Sequence, residues 1–472
     1  MVRDDRIRSV VHIMKKHTVR FYAAITIVKI ATKILKLLGR NATHLPGWIG
    51  NKLCPDFLGH LEKPETLVYV MGTNGKTTVS NLTAEVLKDN GIEYINNASG
   101  SNVSEGLISA LLSKSSFFGK SRCKLAILEV DERYSPHIYP YMQPDIFVCT
   151  NLCRDALDRN ANVDFIVDIL NENISDKTKM ILNGDDLIVS HLKPENDRVY
   201  FGIDELPRDA QSRPNIVRDI IVCPECDTKL EYDFLRYNHV GRAHCPNCDY
   251  GSPAVDYDVI SVDDETMKFT MKTPEGEASY RLLGKNITDL YNEVTAITLL
   301  HQLGLSCGQI SASMDKMQLV SSRYDVQKVG GKEVVMCLAK GQSPIASSRV
   351  FEFITEQGGN SAVVLLNYDY HDQMHSSENM AWIYEADYEF LNNDCVKQIV
   401  AGGNRCYDYK IRALLAGIPD EKIECALHPE DVVKLVDIGH VDKIYILFAV
   451  YTRPKALEIK EHLVKRIEKG VR

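Results

Sequence analysis

No stretch of this 472-residue chain is apolar for long enough to cross a bilayer. The nearest approach, Phe21 to Leu38, is interrupted by Lys29, Lys33 and Lys36 at helical spacing, whereas a spanning helix needs about 20 apolar residues with few charges. The segment reads as an amphipathic helix with a lysine stripe that packs on a neighbouring domain, with contact to an anionic membrane face as a second reading. No small-residue cleavage site closes an apolar stretch there, so a cleavable leader is not expected. Internal repeats and low-complexity tracts are also missing. Positive charge is not in excess: the formal net charge is -9, which argues against a general nucleic-acid binder. The thirteen cysteines are too dispersed for a secreted disulfide scaffold. Nine of them (Cys54, Cys123, Cys149, Cys153, Cys307, Cys337, Cys395, Cys406 and Cys425) follow no pairing pattern, as expected of reduced thiols in a cytosolic protein.

What is present is an ordinary globular composition, 44% apolar and 25% charged, over a length that exceeds one hydrophobic core. Two or three domains are expected. Thr66–Met71 has the pattern of a buried strand, a glycine-rich turn follows, and a helix is predicted from Thr78. Apolar runs recur at 125–130, 145–150 and 179–183. Short apolar runs separated by helical segments predict a mostly parallel α/β sheet. Glu129, Asp131, Thr150, Asn151, Asn183, Asp185 and Asp186 then fall at strand ends, where open α/β sheets bind ligands. Residues 220–250 break the rhythm with paired cysteines, and short alternating runs follow through Met271. A helix is predicted at 291–300, a boundary near 321–332, and a second strand–helix series through 332–337, 361–366, 398–401 and 443–448.

The turn Met71-Gly72-Thr73-Asn74-Gly75-Lys76-Thr77-Thr78 carries the clearest chemistry. Glycines let backbone N–H groups wrap phosphates, and a helix N-terminus favours anions. Lys76 neutralises the terminal phosphates, and the hydroxyl of Thr77 can reach Mg²⁺. The usual loop has a glycine five residues before Gly75, where this chain has Val70, so the motif is a shortened variant. ATP binding in the service of a bond-forming reaction is expected. Glu129, at the end of a strand in the same sheet, is a hard oxygen ligand for the same Mg²⁺, and Asp131 stands nearby.

Cys223-Pro-Glu-Cys226 and Cys245-Pro-Asn-Cys248 are separated by eighteen residues, the spacing of a four-thiolate zinc ribbon whose closed shell makes the metal structural. Few basic residues accompany it, so a stapled insertion is preferred to a nucleic-acid module. Asp369, His371, Asp372, His375 and Glu378 form an acidic, histidine-rich stretch whose spacing matches no defined metal site, and it reads as a solvated loop.

The phosphate loop, Glu129-Val-Asp-Glu132, Thr150-Asn151 with Arg154-Asp155 and Asp158-Arg159, and Leu182-Asn-Gly-Asp-Asp186 together resemble the Mur ligase superfamily. The inserted ribbon, the segment Ala31 to Pro46 and Ala381-Trp-Ile-Tyr-Glu-Ala-Asp-Tyr-Glu389 sharpen this to its MurT-type members, the ligase subunits of lipid II isoglutaminyl synthase. The likeness runs from about residue 25 to the C-terminus.

The resemblance implies an α/β fold in three parts: an N-terminal amphipathic helical segment over 1–48, a Mur ligase-type central ATP-binding domain over 49–325 with a parallel sheet and a four-cysteine zinc ribbon inserted at 218–252, and a smaller MurT-type C-terminal α/β domain over 326–472. It implies cytoplasmic ATP- and Mg²⁺-dependent amidation of the D-glutamate α-carboxylate in the lipid II stem peptide, with ammonia from a class I glutamine amidotransferase partner of the GatD type. It also implies Lys76 as the phosphate-binding catalytic lysine, Asn292 near the adenine and Arg323 near the phosphates.

Three departures stand out. The family's two asparagines around an aromatic read Asp289-Leu-Tyr-Asn292 here, and Leu338 to Pro344 departs from a Lys-Asn-Pro pattern. The aspartate thought to complete the partner's glutaminase site is replaced by Asn379, with Glu378 beside it. An amide orients an imidazole without stabilising its cation. A Mur-type ligase that adds an amino acid without a partner, and a nucleotide-binding scaffold that has lost glutamine-dependent activity, are the alternative readings.

Overall fold

A computed structural model of the chain describes residues 15–40, 42–97, 101–155, 162–207, 209, 215–317, 324–339, 343–368 and 379–470. Asp158, Arg159, Arg323, the stretch Asp369 to Glu378, and part of the 338–344 segment lie outside the described residues. The chain forms two compact units: Met1–Cys153, Asn162–Arg213 and Ile220–Gln318 make the first, and Arg154–Ala161, Pro214–Asp219 and Leu319–Arg472 the second.

Continuous β-branched and aliphatic runs make the strands at the centre of the first unit. They are β1 (Thr66–Met71), β2 (Tyr94–Asn96), β3 (Leu125–Glu129), β4 (Ile146–Cys149), β5 (Lys179–Asn183) and β6 (Arg198–Ile203), every neighbouring pair of which is parallel. Residues covered on both faces need no polar alternation, and Leu67 to Met71 are all buried. A hairpin of β7 (Glu231–Tyr237) and β8 (Val240–His244) stands apart from this sheet. The alternating runs become β9 (Tyr257–Asp263), which joins β6 in parallel, and β10 (Lys268–Thr273); β11 (Gly276–Arg281), beyond the predicted runs, continues the sheet, and β9–β10 and β10–β11 are antiparallel. The strand order is β11-β10-β9-β6-β5-β4-β1-β3-β2. From β1 the chain moves outward to β2 and β3 and then returns to the other side for β4. The order therefore reverses between β1 and β4, and the crevice beyond their carboxyl ends is the switch point where such sheets take ligands.

The helix Val19–Leu37 buries Phe21, Ala24, Ile25 and Val28 in the core on one face of this sheet. Lys29, one of its three lysines, is half-buried and donates to the carbonyls of Leu112 (2.7 Å) and Ser115 (3.0 Å). The solvent side differs from the simple amphipathic reading, because isoleucines and leucines share it with the remaining lysines.

The second unit has one six-stranded sheet in the order β12-β13-β17-β14-β15-β16. Its strands are β12 (Tyr324–Val329), β13 (Lys332–Leu338), β14 (Ser361–Leu366), β15 (Val396–Gly402), β16 (Ile423–Ala426) and β17 (Lys443–Phe448). All its pairs are parallel except β12 with β13. Within this unit Arg154 donates to Asp219 (2.6 Å) and Glu385 (3.3 Å).

Candidate functional site: a phosphate loop at the sheet switch point

The turn after β1 is held open by two glycines with left-handed backbones, Gly72 (φ 127°) and Gly75 (φ 91°). A side chain at either is excluded twice. The conformation disfavours it, and a Cβ would collide with Thr150 Oγ1 at Gly72 and with Asn292 Oδ1 at Gly75. The following helix begins at Lys76, two residues earlier than its apolar pattern predicts, because the glycine at its N-cap starts it directly from the turn.

The end of β4 clamps the loop from beneath. The Asn74 carbonyl accepts from Thr150 Oγ1 (2.6 Å) and Asn151 Nδ2 (3.1 Å), while Asn74 N–H donates to Asn151 Oδ1 (3.1 Å). Thr73 N–H donates to the Asn151 carbonyl (2.8 Å), and the Thr73 hydroxyl donates to the Cys153 carbonyl (2.9 Å). These bonds tie the loop backbone to the segment that follows β4.

The charges converge from β3. Thr77 Oγ1 donates to Glu129 Oε2 (2.9 Å). Glu129 is buried, and burial raises its pKa. Its other oxygen, Oε1, is buried with no hydrogen-bond partner among the described residues. An unsatisfied carboxylate oxygen beside a threonine hydroxyl is the donor set a hard divalent cation takes, so these residues fit Mg²⁺. Glu132, to which its position in the sequence assigned no role, accepts from Gly72 N–H (2.7 Å) and pairs with Lys76 Nζ (3.1 Å). Lys76 Nζ also donates to the Gly72 carbonyl. The lysine is thereby held over the loop. Asp131, in contrast, is spent on a turn, accepting from Arg133 and Tyr134 N–H groups.

Asn183 Nδ2 donates to the Thr150 carbonyl (3.0 Å), so it braces the β4 end. Asp185 and Asp186 anchor the β7–β8 hairpin. Arg236, whose side chain is 1% exposed, donates to Asp185 (3.2 Å), Asp209 (2.8 Å) and Tyr291 Oη (2.8 Å). His239, fully buried at the hairpin tip, meets Asp186 Oδ1 at 3.0 Å, and Asp186 Oδ2 accepts from Leu152 N–H (3.0 Å). The next residue, Cys153, donates its N–H to Thr73 Oγ1 (2.9 Å). A continuous chain of bonds thus joins the hairpin tip to the phosphate loop.

Beyond the hairpin's other end, Cys223, Cys226, Cys245 and Cys248 bring their sulfurs within 4.8 Å of one another. Individual separations are 3.5 Å (Cys223 to Cys248), 3.4 Å (Cys226 to Cys245) and 3.6 Å (Cys226 to Cys248). A four-thiolate tetrahedron with metal–sulfur bonds of about 2.3 Å has edges of about 3.8 Å, so the four fit one metal ion. None of the thirteen cysteines is disulfide-bonded.

In the second unit Asn379 is exposed, and its Oδ1 accepts from Ala381 N–H (3.0 Å) at the start of the helix Ala381–Glu385. This is an Asx turn. Trp382 is buried in the core behind it.

The Mur ligase middle domain family matches residues 70–219, and the MurT ligase C-terminal family matches residues 341–453. The MurT subunit of lipid II isoglutaminyl synthase (glutamine-hydrolyzing) from Staphylococcus aureus is 33% identical over 404 residues, spanning 84% of this chain and 89% of its own. The same subunit from Streptococcus pneumoniae is 31% identical over 439 residues, 92% of this chain and 94% of its own. Among solved structures, a pseudomurein peptide ligase type C from Methanothermus fervidus aligns with a TM-score of 0.62 at 19% identity, over 86% of this chain and 80% of that one. A MurF ligase from Thermotoga maritima, solved in complex with ADP, aligns with a TM-score of 0.57 at 16% identity over 90% and 85%. The fold is that of the Mur ligases, and the chain belongs to their MurT family.

Proposed function

We propose that this chain is the ATP-dependent ligase subunit of a lipid II isoglutaminyl synthase and amidates the D-glutamate α-carboxylate of the lipid II stem peptide with ammonia released by a GatD-type glutaminase subunit. The observation that carries the reading is the assembled loop, with Lys76 held by Glu132, Thr77 against Glu129, and one Glu129 oxygen left open, in a family whose relatives bear that name.

A carboxylate is a poor electrophile. In the first step an α-carboxylate oxygen attacks the γ-phosphorus of ATP, the bond to the β-phosphate oxygen breaks, and ADP leaves. Ammonia then attacks the acyl carbon, inorganic phosphate departs with its oxygen, and a proton is lost to give the amide. The N–H groups of the loop and Lys76 bind the phosphates and offset charge on the transferring group. Thr77 and Glu129 would hold Mg²⁺, which supplies charge neutralisation at the phosphates. Asn292, which lies against Gly75, would sit near the adenine. The four cysteines would hold a structural zinc, because a closed thiolate shell has no open position for substrate. Asn379 occupies the place of the acid that would serve the partner's histidine, and its amide would orient that imidazole without stabilising its cation.

The test is co-expression with a glutaminase subunit and assay of lipid II amidation with glutamine and with ammonium as nitrogen source. ATP-dependent amidation with either is expected. Turnover with ammonium but not glutamine would place the defect at Asn379, and no ATP-dependent product from either would sink the proposal.

A further inference from the structure

The N-terminal helix Val19–Leu37 has two apolar faces, of which the core uses one. Phe21, Ala24, Ile25 and Val28 are buried. On the other side Ile27, Ile30, Ile34 and Leu37 follow one another at helical spacing in solvent, with Ile30 55%, Ile34 51% and Leu37 79% exposed. Burying such a stripe is favourable wherever something apolar is offered, and soluble surfaces rarely leave one this long uncovered. Its edges are aromatic. Tyr22 is exposed and its ring lies 6.4 Å from that of Phe118, which is 61% exposed, and the helix Leu45–Leu53, packed on the first, adds exposed Trp48.

The charge of the segment that carries the stripe has one sign. Between Asp5 and Asp56 the sequence has ten lysine and arginine residues and not one aspartate or glutamate, in a chain whose net charge is -9. Lys29 is turned inward, but Lys33, Lys36 and Arg40 are exposed. Among the described residues no carboxylate stands within ion-pair distance of Lys33 or Lys36. An exposed apolar stripe bordered by tyrosine, tryptophan and unpaired lysines suits the interface of an anionic bilayer, where rings and aliphatic chains enter the acyl boundary and ammonium groups meet lipid phosphates. No helix among the described residues is long and apolar enough to cross a membrane, so the contact lies in the plane of the surface.

We propose that the exposed face of the helix Val19–Leu37, with Lys33 and Lys36, docks this chain on an anionic lipid bilayer. Such docking deepens the proposed function, because it would confine the enzyme to the surface that carries a lipid-linked acceptor. Vesicles without acceptor test it independently of amidation.

The full chain is sedimented with phosphatidylglycerol-containing vesicles and with vesicles of phosphatidylcholine alone, at low and high ionic strength. Binding to the anionic vesicles, weakened by salt and absent on phosphatidylcholine, is expected. Lys33→Gln/Lys36→Gln should lower the partition coefficient roughly 25-fold at low salt, about fivefold per lysine. Ile30→Glu/Ile34→Glu should lower it by roughly tenfold or more. Both positions of the second variant are already in water, and unchanged thermal melting and ATP binding verify its fold; the lysine variant leaves the apolar stripe intact and is read separately. Absence of wild-type binding, or equal binding by both variants, overturns the proposal. So does a vesicle-independent shift in oligomeric state or partner binding as the only effect of the isoleucine changes, which would assign the face to a protein.

Discussion

The phosphate loop of the first unit and the turn at Asn379 in the second are both polar segments that lead into a helix, yet their side chains are used in opposite ways. Around Gly72 to Thr77 other elements set the polar groups: Thr150 and Asn151, just past β4, fix the backbone, Glu132 pairs with the lysine, and Glu129 keeps one oxygen without a hydrogen-bond partner among the described residues. At Asn379 the amide oxygen is turned back onto the backbone N–H of Ala381. The first arrangement stores electrostatic potential for a ligand. The second only shapes the chain.

The strongest way to sharpen that contrast is Lys76→Met, which should reduce ATP-dependent amidation roughly 10³-fold with both glutamine and ammonium. An activity that survives would show that the loop's charges are not the working ones. Next is Arg236→Met, which leaves buried Asp209 without a cation among the described residues and Asp185 with Arg242 (3.3 Å) alone. A loss of about 3–5 kcal/mol of stability is expected, read by chemical denaturation, together with weaker ATP binding if the hairpin supports the loop as the bond chain implies.

Asn379→Asp tests the other side. Aspartate makes the same turn, so melting should stay within about 0.5 kcal/mol of the parent, while glutamine-driven turnover rises on the order of 10²-fold and ammonium-driven turnover does not change. An unchanged glutamine rate would remove the contrast. The smallest effect is assigned to Gly75→Ala, whose Cβ meets Asn292 in a left-handed backbone. Strain of about 1–2 kcal/mol should appear mainly as a roughly tenfold higher KM for ATP.

The features readable in the sequence are those encoded by neighbours along the chain. The glycine–lysine–threonine turn and the paired cysteines announce themselves by spacing, and the buried strands by unbroken apolar runs such as Leu67 to Met71. Long-range partnerships left no comparable trace. Glu132 gave no sign that it would hold Lys76, 56 residues away, and Asp186 none that it would meet His239, 53 residues away. Of β9 to β11 only the part through Met271 was visible, and only as alternation, since the pairing that extends the sheet depends on which edge is free. The apolar residues of the N-terminal helix were legible as helical, but which of its two apolar faces the core would take was decided by packing.

The hairpin that carries the four cysteines shows what kind of insertion this is. Its Arg236 and His239 neutralise or engage Asp185 and Asp186, which water does not reach. Excising it would strand two buried carboxylates, one of which, Asp186, also holds Leu152 N–H beside the loop. Moved into another scaffold by itself, the hairpin would carry Arg236 and His239 to a place without the carboxylates that receive them.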